Sequence, residues 1–120
     1  MNFIKDLEVS YEKPSERKSL FDDRYMGGHR MCEWLYIKEG YSLSIQASEN
    51  HYSIPRAYVP LGNYTHFEMA IIFEDSLISD MSIIKDFARY NELMEYNQGT
   101  VFGEVPRDLI EDLYNWWLKQ

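Results

Sequence analysis

Histidines, a cysteine and paired carboxylates are the side chains of this 120-residue sequence that could perform chemistry. The three histidines, His29, His51 and His66, lie far apart along the chain, and no two of them have the i, i+4 spacing that puts two imidazoles on one helix face. Gly27 and Gly28 are not followed by the lysine and hydroxyl residue of a phosphate-binding loop. The sequence therefore predicts neither a metal site nor a bound cofactor.

A catalytic nucleophile would have to be the single cysteine. Cys32 and a histidine could form a nucleophile and its base. However, Cys32 precedes Trp34 and Tyr36 in a strand-like run, where a cysteine usually behaves as a small buried hydrophobe. The chain also contains three pairs of adjacent acids, Asp22–Asp23, Glu74–Asp75 and Glu111–Asp112. Adjacent residues of a strand point to opposite faces, so these pairs do not indicate a shared catalytic cleft. We therefore predict that the protein is not an enzyme.

A segment rich in aromatic and basic side chains, residues 51–66, is the first candidate for binding. Tyrosine and arginine dominate the energetics of protein interfaces, and loops held on a rigid sheet often carry function. The candidate contact residues of this segment are His51, Tyr52, Arg56, Tyr58, Tyr64 and His66. The alternative interpretation is structural: the aromatic rings cover the end of a sheet, and Arg56 pairs with one of the many acids.

Two adjacent tryptophans near the end of the sequence are the second candidate. Successive residues of a helix are rotated by about 100°, so Trp116, Trp117 and Leu118 cannot all face one core. We expect Trp116 or Leu118 to reach the surface. An exposed tryptophan here would mark a partner surface or a homo-oligomer interface on the last helix, or else a frayed helix end.

The charge of the chain restricts its partners. With 20 acidic and 12 basic residues, the formal net charge is −8, which disfavours direct binding of nucleic acid or an anionic membrane. Long-range attraction favours basic protein partners, although acidic charge can also serve solubility alone. One cysteine excludes an intrachain disulfide and fits a reducing compartment. No signal peptide or apolar run long enough to span a membrane is present, so we predict a cytoplasmic protein.

The strands that must position these side chains are indicated by alternation of apolar and polar residues. Residues 32–37 and 41–47 flank a short turn that contains Gly40, which is typical of an antiparallel hairpin. Residues 66–73 and 100–105 predict a third and a fourth strand. The long connection between the second and third strands contains apolar residues, so we expect it to pack on the body of the protein.

Helices are predicted around residues 82–88, with Ser82 as N-cap, and from Pro106 to the end of the sequence. Residues 2–11 fit a strand or a short helix, with preference for a strand, and residues 12–29 are expected to be irregular or mobile, with room for a short helix at 15–21. The fold class that follows is α+β, a single domain over residues 1–120. Its single antiparallel sheet has about four or five strands, with two helices packed on one face.

Three segments carry a resemblance. They read Gly-Tyr-Ser-Leu-Ser-Ile at 40–45, His-Phe-Glu-Met-Ala-Ile at 66–71 and Gly-Thr-Val-Phe-Gly-Glu-Val-Pro at 99–106. In this order, and before a closing helix, they resemble a set of small proteins of phages and mobile elements over residues 40–115. The sequence departs from that pattern with Phe102 where tyrosine is usual, and with Trp-Trp near its end instead of a His-Gly-Gly type terminus. The resemblance implies a genetic context, and no activity is carried over from it.

These observations predict a small acidic, non-enzymatic interaction protein, encoded by a phage or mobile element and acting in the cytoplasm of its bacterial host. It would bind, and inhibit, a basic host protein such as a nucleic-acid-handling or defence enzyme. The alternative is a small-ligand-binding protein or an unrecognised enzyme with His51, Arg56, Tyr58 and His66 around a pocket. A third possibility is an assembly component that forms a homo-oligomer through its last helix.

Overall fold

A computed structural model describes residues 3–7, 9–11 and 31–120, and for residues 9–11 it describes the backbone alone. The predicted irregular segment at 12–29, with its short helix, lies outside the described residues. The strands are β1 (Val9–Tyr11), β2 (Met31–Cys32), β3 (Leu35–Lys38), β4 (Tyr41–Gln46), β5 (His66–Phe73), β6 (Ser76–Leu77) and β7 (Val101–Pro106). The α-helices are α1 (Phe3–Asp6), α2 (Tyr90–Met94) and α3 (Arg107–Leu118), and two 3₁₀ turns span Leu61–Asn63 and Met81–Ile84.

Five of these strands form one antiparallel sheet in the order β3-β4-β5-β6, with β7 also paired to β5. β6 lies beside the last residues of β5, opposite Ile72 and Phe73, and β7 lies along the first part of the same edge, from His66 to Ala70. β5 is therefore the central strand. The predicted α+β class with an antiparallel sheet of four or five strands is confirmed.

The predicted hairpin is formed by β3 and β4, in which Leu35 faces Leu43. Its two-residue turn places Glu39 at φ 52° and Gly40 at φ 87°, the left-handed backbone that tight hairpin turns require. The prediction of a single strand over the aromatic run at 32–37 is wrong. The run is divided between β2, which pairs with β1, and β3, because the chain changes partners at Glu33 and Trp34.

A side-chain amide links the two-stranded β1–β2 ladder to the main sheet. Gln46 Oε1 accepts a hydrogen bond from the Cys32 backbone N–H at 2.7 Å, and its Nε2 donates to the Cys32 carbonyl at 2.9 Å. Nε2 lies 3.1 Å from Ser44 Oγ as well. Gln46 is only 3% exposed. Its amide therefore supplies the hydrogen-bond partners that a neighbouring strand would otherwise give to the Cys32 backbone.

The core lies on one face of the sheet, where apolar residues alternate along β4, β5 and β7. Phe67, Met69 and Ile71 of β5 are each fully buried. Phe73 continues this alternation but is 38% exposed, because it lies at the end of the strand against Tyr41 (ring centroids 4.7 Å apart). The remaining buried residues of the core include Leu43, Ile45, Phe102, Val105, Leu109, Ile110 and Leu113.

The helices differ from the prediction in their starting points. Ser82 is not the N-cap of a helix; the side chain of Asp80 accepts from the Ser82 backbone N–H at 3.0 Å and caps the 3₁₀ turn that follows. This hydrogen bond lowers the pKa of the exposed Asp80 carboxyl. Pro106 is the last residue of β7 and the N-cap position of α3, which begins one residue later than predicted.

The N-terminal segment is fixed to α3 by two polar contacts. The carboxylate of Glu111 accepts from the Phe3 backbone N–H at 3.0 and 3.2 Å, and the Tyr114 hydroxyl donates to Asp6 Oδ2 at 2.8 Å. The first half of residues 2–11 is therefore helix α1, and strand β1 occupies only the second half. The strand that the sequence favoured over residues 2–11 is therefore present only at Val9–Tyr11.

Stability at high pH should depend on Tyr114. Burial of its ring, with the hydrogen bond to Asp6, raises the pKa of Tyr114 to about 12. In the unfolded chain a tyrosine ionises near about pH 10, so the stabilisation from the neutral phenol is complete below that value and lost as pH rises through the folded pKa. Tyr114→Phe removes this ionisation. The stability advantage of the wild type over Tyr114→Phe, measured by urea unfolding, should therefore shrink between pH 9 and 12. An advantage that stays constant across this range would contradict the assignment.

Candidate functional site

The connection between β4 and β5 is held in shape by its own buried polar groups. Ser48 Oγ lies 2.7 Å from His51 Nδ1, and Ser53 Oγ donates to the Ser48 carbonyl at 3.1 Å. Ser48, His51 and Ser53 are 0%, 5% and 1% exposed. The connection thus packs on the body of the protein, as its apolar content predicted.

The second half of the connection is pinned to the start of β5. The backbone N–H of Ile54 donates to the His66 carbonyl at 3.1 Å, and the N–H of Thr65 donates to the Ile54 carbonyl at 2.8 Å. The Tyr64 hydroxyl donates to the Ala57 carbonyl at 2.5 Å and accepts from the Val59 N–H at 3.2 Å. A single buried phenol therefore fixes the backbone at the tip of the loop.

Four side chains of this fixed loop point outward, and we call them the loop surface: Tyr52, Ile54, Arg56 and Tyr58. Tyr52, Ile54 and Tyr58 are 46%, 41% and 42% exposed. The Arg56 guanidinium carbon lies 4.8 Å from the centroid of the Tyr52 ring, within the range of a cation–π interaction. Three of the predicted contact residues are therefore displayed together on a rigid backbone.

Two acidic residues, Glu68 and Glu104, are bonded to the backbone of Tyr52 in the loop surface. Glu68 Oε2 accepts from the Tyr52 backbone N–H at 3.0 Å, and the Glu104 N–H donates to the Tyr52 carbonyl at 2.9 Å. Glu104 itself has φ 51° at a bulge of β7, and its side chain is exposed. Two acidic residues thus adjoin Tyr52, and negative charge favours the approach of a basic partner.

His51 and Tyr64 are structural residues, contrary to their prediction as contact residues. Both are almost completely buried, and their polar atoms bond to Ser48, Ala57 and Val59 of the same loop. Aromatic and imidazole side chains in such a loop were expected either to contact a partner or to cover the sheet. In the described structure these two side chains instead bond to polar groups of the loop, as buried polar groups usually do.

His66 lies in a groove of about 490 Å³ between the loop and α3. The groove is lined by Gly62, Asn63, Tyr64, Thr65, His66, Pro106, Arg107, Asp108 and Glu111. His51, Arg56 and Tyr58 do not line this groove, so among the four residues of the predicted pocket His66 alone contributes to it. Arg107 replaces Arg56 as the guanidinium beside His66, with its Nη1 donating to the Gly62 carbonyl at 2.9 Å.

The two tryptophans of α3 have separate roles. Trp117 was predicted as a contact residue, but it is only 3% exposed. It packs against Tyr41, with ring centroids 5.5 Å apart, and therefore belongs to the core. Trp116 is half-buried, packs against Phe87 with ring centroids 5.5 Å apart, and borders two grooves of about 210 and 390 Å³. Formation of a homo-oligomer through this helix stays a prediction.

Net negative charge is concentrated in the longest described segment. Residues 31–120 contain 14 acidic and six basic side chains, which account for the whole net charge of −8. Arg89 is one of those six cations and is already engaged by acids. Its guanidinium forms two hydrogen bonds to Glu92 (2.9 and 2.7 Å) and one each to Asp112 (2.6 Å) and Asp108 (3.1 Å). The pair with Glu92 lowers the pKa of that exposed carboxyl and raises that of Arg89.

The described part of the chain contains neither a cluster of metal ligands nor a helix that could span a membrane. Among these residues no three or more histidine, cysteine, aspartate or glutamate side chains are grouped as ligands for a metal ion. No helix in the same residues is long and apolar enough to cross a bilayer. Cys32, the predicted small hydrophobe, is buried, and its backbone is held by Gln46.

Sequence reasoning missed the residues around Trp116. Ile83 is 40% exposed, and Asp86 is an exposed acid of the turn before α2; both line the 210 Å³ groove together with the tip of the β3–β4 hairpin. No local pattern indicates that a hairpin turn and a 3₁₀ turn far apart in sequence share a groove. The packing of α3 on β3, together with the contact of Trp116 with Phe87, brings them together.

Comparison of the chain with protein-family models, with curated proteins and with solved structures finds no significant match.

Proposed function

We propose that this protein is a non-enzymatic interaction module that binds a basic protein partner through its loop surface. The observation that carries the proposal is the exposure of Tyr52, Ile54, Arg56 and Tyr58 on a loop whose backbone is fixed by buried hydrogen bonds. Tyrosine and arginine are enriched at interface hot spots. A rigid backbone also reduces the entropy that is lost when they are immobilised by a partner.

Charge defines the chemical class of the partner. The carboxylate of Glu68 accepts from the Tyr52 N–H, the exposed Glu104 is bonded to Tyr52 through its backbone, and the net charge of −8 steers positively charged proteins toward the domain. A cytoplasmic protein that grips nucleic acid through a basic surface has the required charge. Binding of this acidic domain to such a surface would exclude the nucleic acid and inhibit the partner. The resemblance to small proteins of phages and mobile elements is consistent with that role.

A salt-dependent capture experiment tests this proposal. The wild type and the variant Tyr52→Ala/Arg56→Ala/Tyr58→Ala are immobilised and exposed to bacterial lysate at low and moderate salt, and bound proteins are quantified by mass spectrometry. We expect the wild type to recover a basic protein at low salt and less of it at moderate salt, because exposed charge pairs are screened. The variant should bind that protein at least about tenfold more weakly, since it lacks three hot-spot side chains.

Tyr36→Ser is the matched control, since this tyrosine is 64% exposed on strand β3, outside the loop. The control should capture the partner as the wild type does. Equal capture by the wild type and the loop variant would overturn the loop surface as the contact site. A blank with folded protein, or binding that does not change with salt, would overturn the basic partner.

A second candidate function, binding of a small ligand, is favoured by the groove of about 490 Å³ beside His66. Thr65 Oγ1 lies 2.8 Å from His66 Nδ1 and 3.3 Å from the Ile54 carbonyl, which it can use as acceptor for its proton. In that arrangement Nδ1 donates to Thr65 and the lone pair of Nε2 remains available to a ligand. A small-molecule screen in which hits lose affinity on His66→Ala, and not on the loop variant, would support this function instead.

A further inference from the structure

A narrow groove lies where the start of the β3–β4 turn meets the C-terminal half of α3. Its volume is about 210 Å³, and we call it the aromatic groove. It is lined by Lys38, Glu39, Tyr41, Ile83, Asp86, Trp116, Trp117 and Gln120. It shares no residue with the loop surface, so its occupant can be tested separately.

Three aromatic residues, Tyr41, Trp116 and the largely buried Trp117, are among those that line the aromatic groove. The rings of Tyr41 and Trp117 are 5.5 Å apart at 44° to each other, and the indole of Trp116 is fixed from behind by Phe87 at 5.5 Å. Ile83, 40% exposed, lies on the wall formed by the 3₁₀ turn. Pre-positioned aromatic faces attract organic cations, because the negative quadrupole of a ring favours a positive charge above it.

Two carboxylates at the groove are available to a ligand. Glu39 and Asp86 are both exposed, and within the described part of the chain neither forms an ion pair or a side-chain hydrogen bond. Lys38 is the one cation in the lining, and its Nζ donates to the main-chain carbonyl of Gln120 instead. The groove therefore combines aromatic walls with unpaired negative charge.

We propose that the aromatic groove binds an arginine side chain of the basic partner. This rests on the proposed function, since it assumes a basic protein, but it assigns a second contact on a separate surface. A guanidinium is planar and weakly hydrated, stacks on indole and phenol rings, and offers several N–H donors to carboxylates. An arginine that stacks on Trp116 can place those donors toward Glu39 and Asp86. Lysine, a compact and strongly hydrated charge, fits such a site less well.

Removing the charge of Lys38 should change arginine binding in the direction opposite to removal of the two carboxylates. The Lys38 ammonium lines the same groove as the arriving guanidinium, so like-charge repulsion weakens binding. Replacing Lys38 by methionine keeps the length of the side chain and removes the charge. Neutralising the two acids weakens an arginine contact, whereas neutralising Lys38 strengthens it. A merely structural role of these residues would not produce opposite signs.

The test is an NMR titration of the ¹⁵N-labelled full chain with acetyl-Ala-Arg-Ala-amide. The indole N–H signal of Trp116 reports on the groove, and that of Trp34, 45% exposed on the chain before β3, is the internal control. We expect the Trp116 signal to shift and saturate at millimolar peptide, and the Trp34 signal to stay in place. The citrulline peptide, which is neutral and of the same shape, should shift neither signal, and the lysine peptide should bind more weakly.

Two exposed-site variants complete the experiment. Glu39→Gln/Asp86→Asn should weaken arginine-peptide binding about fivefold, and Lys38→Met should strengthen it about twofold, as expected for exposed charge contacts. An equal response to the citrulline peptide, or a Trp116 signal that never shifts, would overturn the proposal. So would unchanged affinity in both variants.

The outcomes distinguish this groove from the loop surface. If the groove fails to bind arginine but partner capture is still lost in the loop variant, the proposed function stands without this second contact. If the groove binds arginine while the wild type captures no basic protein, the proposed function fails and the groove is a site for free arginine-like cations. In the latter case the assignment to a partner's side chain is overturned.

Discussion

Phe67→Ala should lower the free energy of unfolding by about 4 kcal/mol, the largest effect expected of any single substitution discussed for this protein. Phe67 is fully buried near the start of β5, the central strand of the main sheet. Its ring meets Phe3 edge-on at 5.3 Å and lies 5.8 Å from the ring of Tyr64. One side chain therefore joins the N-terminal helix, strand β5 and the loop that carries the proposed contact surface.

Urea and thermal unfolding measure this effect. A loss of about 4 kcal/mol in a domain of this size corresponds to a melting temperature lower by about 15 °C. Phe73→Ala is the matched control, since Phe73 lies on the same strand but is 38% exposed. Its truncation should cost only about 1 kcal/mol. Similar losses for the two variants would contradict the placement of the core on this part of the sheet.

Gln46→Leu should lower the free energy of unfolding by about 3 kcal/mol, although leucine is the more hydrophobic residue. The substitution removes the acceptor of the Cys32 N–H and the donor to the Cys32 carbonyl, at a site where Gln46 is 3% exposed. Each buried backbone group left without a partner costs about 1–3 kcal/mol, which exceeds the gain from burying extra apolar surface.

Ser44→Ala is the control for this substitution. The Ser44 hydroxyl lies 3.1 Å from Gln46 Nε2 but is half-buried, so its loss should cost less than about 1 kcal/mol. Hydrogen exchange gives a local readout. The Cys32 amide should be protected in the wild type and in Ser44→Ala, and should exchange faster in Gln46→Leu. Unchanged stability and unchanged protection in Gln46→Leu would show that the amide does not hold the β1–β2 ladder.

Both substitutions also bear on the proposed contact surface. Tyr64, which contacts Phe67, fixes the loop tip by bonding to Ala57 and Val59. Loss of the Phe67 ring should therefore weaken partner capture even at temperatures where the variant is folded. Gln46→Leu acts on the β1–β2 ladder and should leave capture unchanged in the folded protein. The comparison separates loss of loop order from loss of overall stability.

The strands were predictable where the pattern was long. Residues 66–73 alternate over eight positions and coincide with β5, and the hairpin was marked by a glycine between two β-rich runs. β6 has only two residues, too few for any alternation, and it forms because the chain turns back on Ile72 and Phe73. The helix expected around residues 82–88 is replaced by a 3₁₀ turn, since local apolar spacing does not decide which turn geometry tertiary packing selects.

The candidate site was only partly predictable. Composition predicted a binding segment at residues 51–66, and Tyr52, Arg56 and Tyr58 are exposed there. The same composition could not separate them from His51 and Tyr64, which are buried. Burial of a loop side chain depends on the neighbouring backbone groups that need a hydrogen-bond partner, and these are set by long-range contacts such as that between Ile54 and His66.

By itself, the sequence determined the α+β class, the hairpin, the strand at residues 66–73 and the acidic character of the chain. Each depends on composition or on the period of neighbouring residues, which local steric and solvation preferences control. Tertiary structure alone decided which tryptophan is core, where Gln46 inserts its amide, and that Glu39 and Asp86 border one groove. These features join residues far apart in the chain, and their free energy exists only once packing has excluded water from between them.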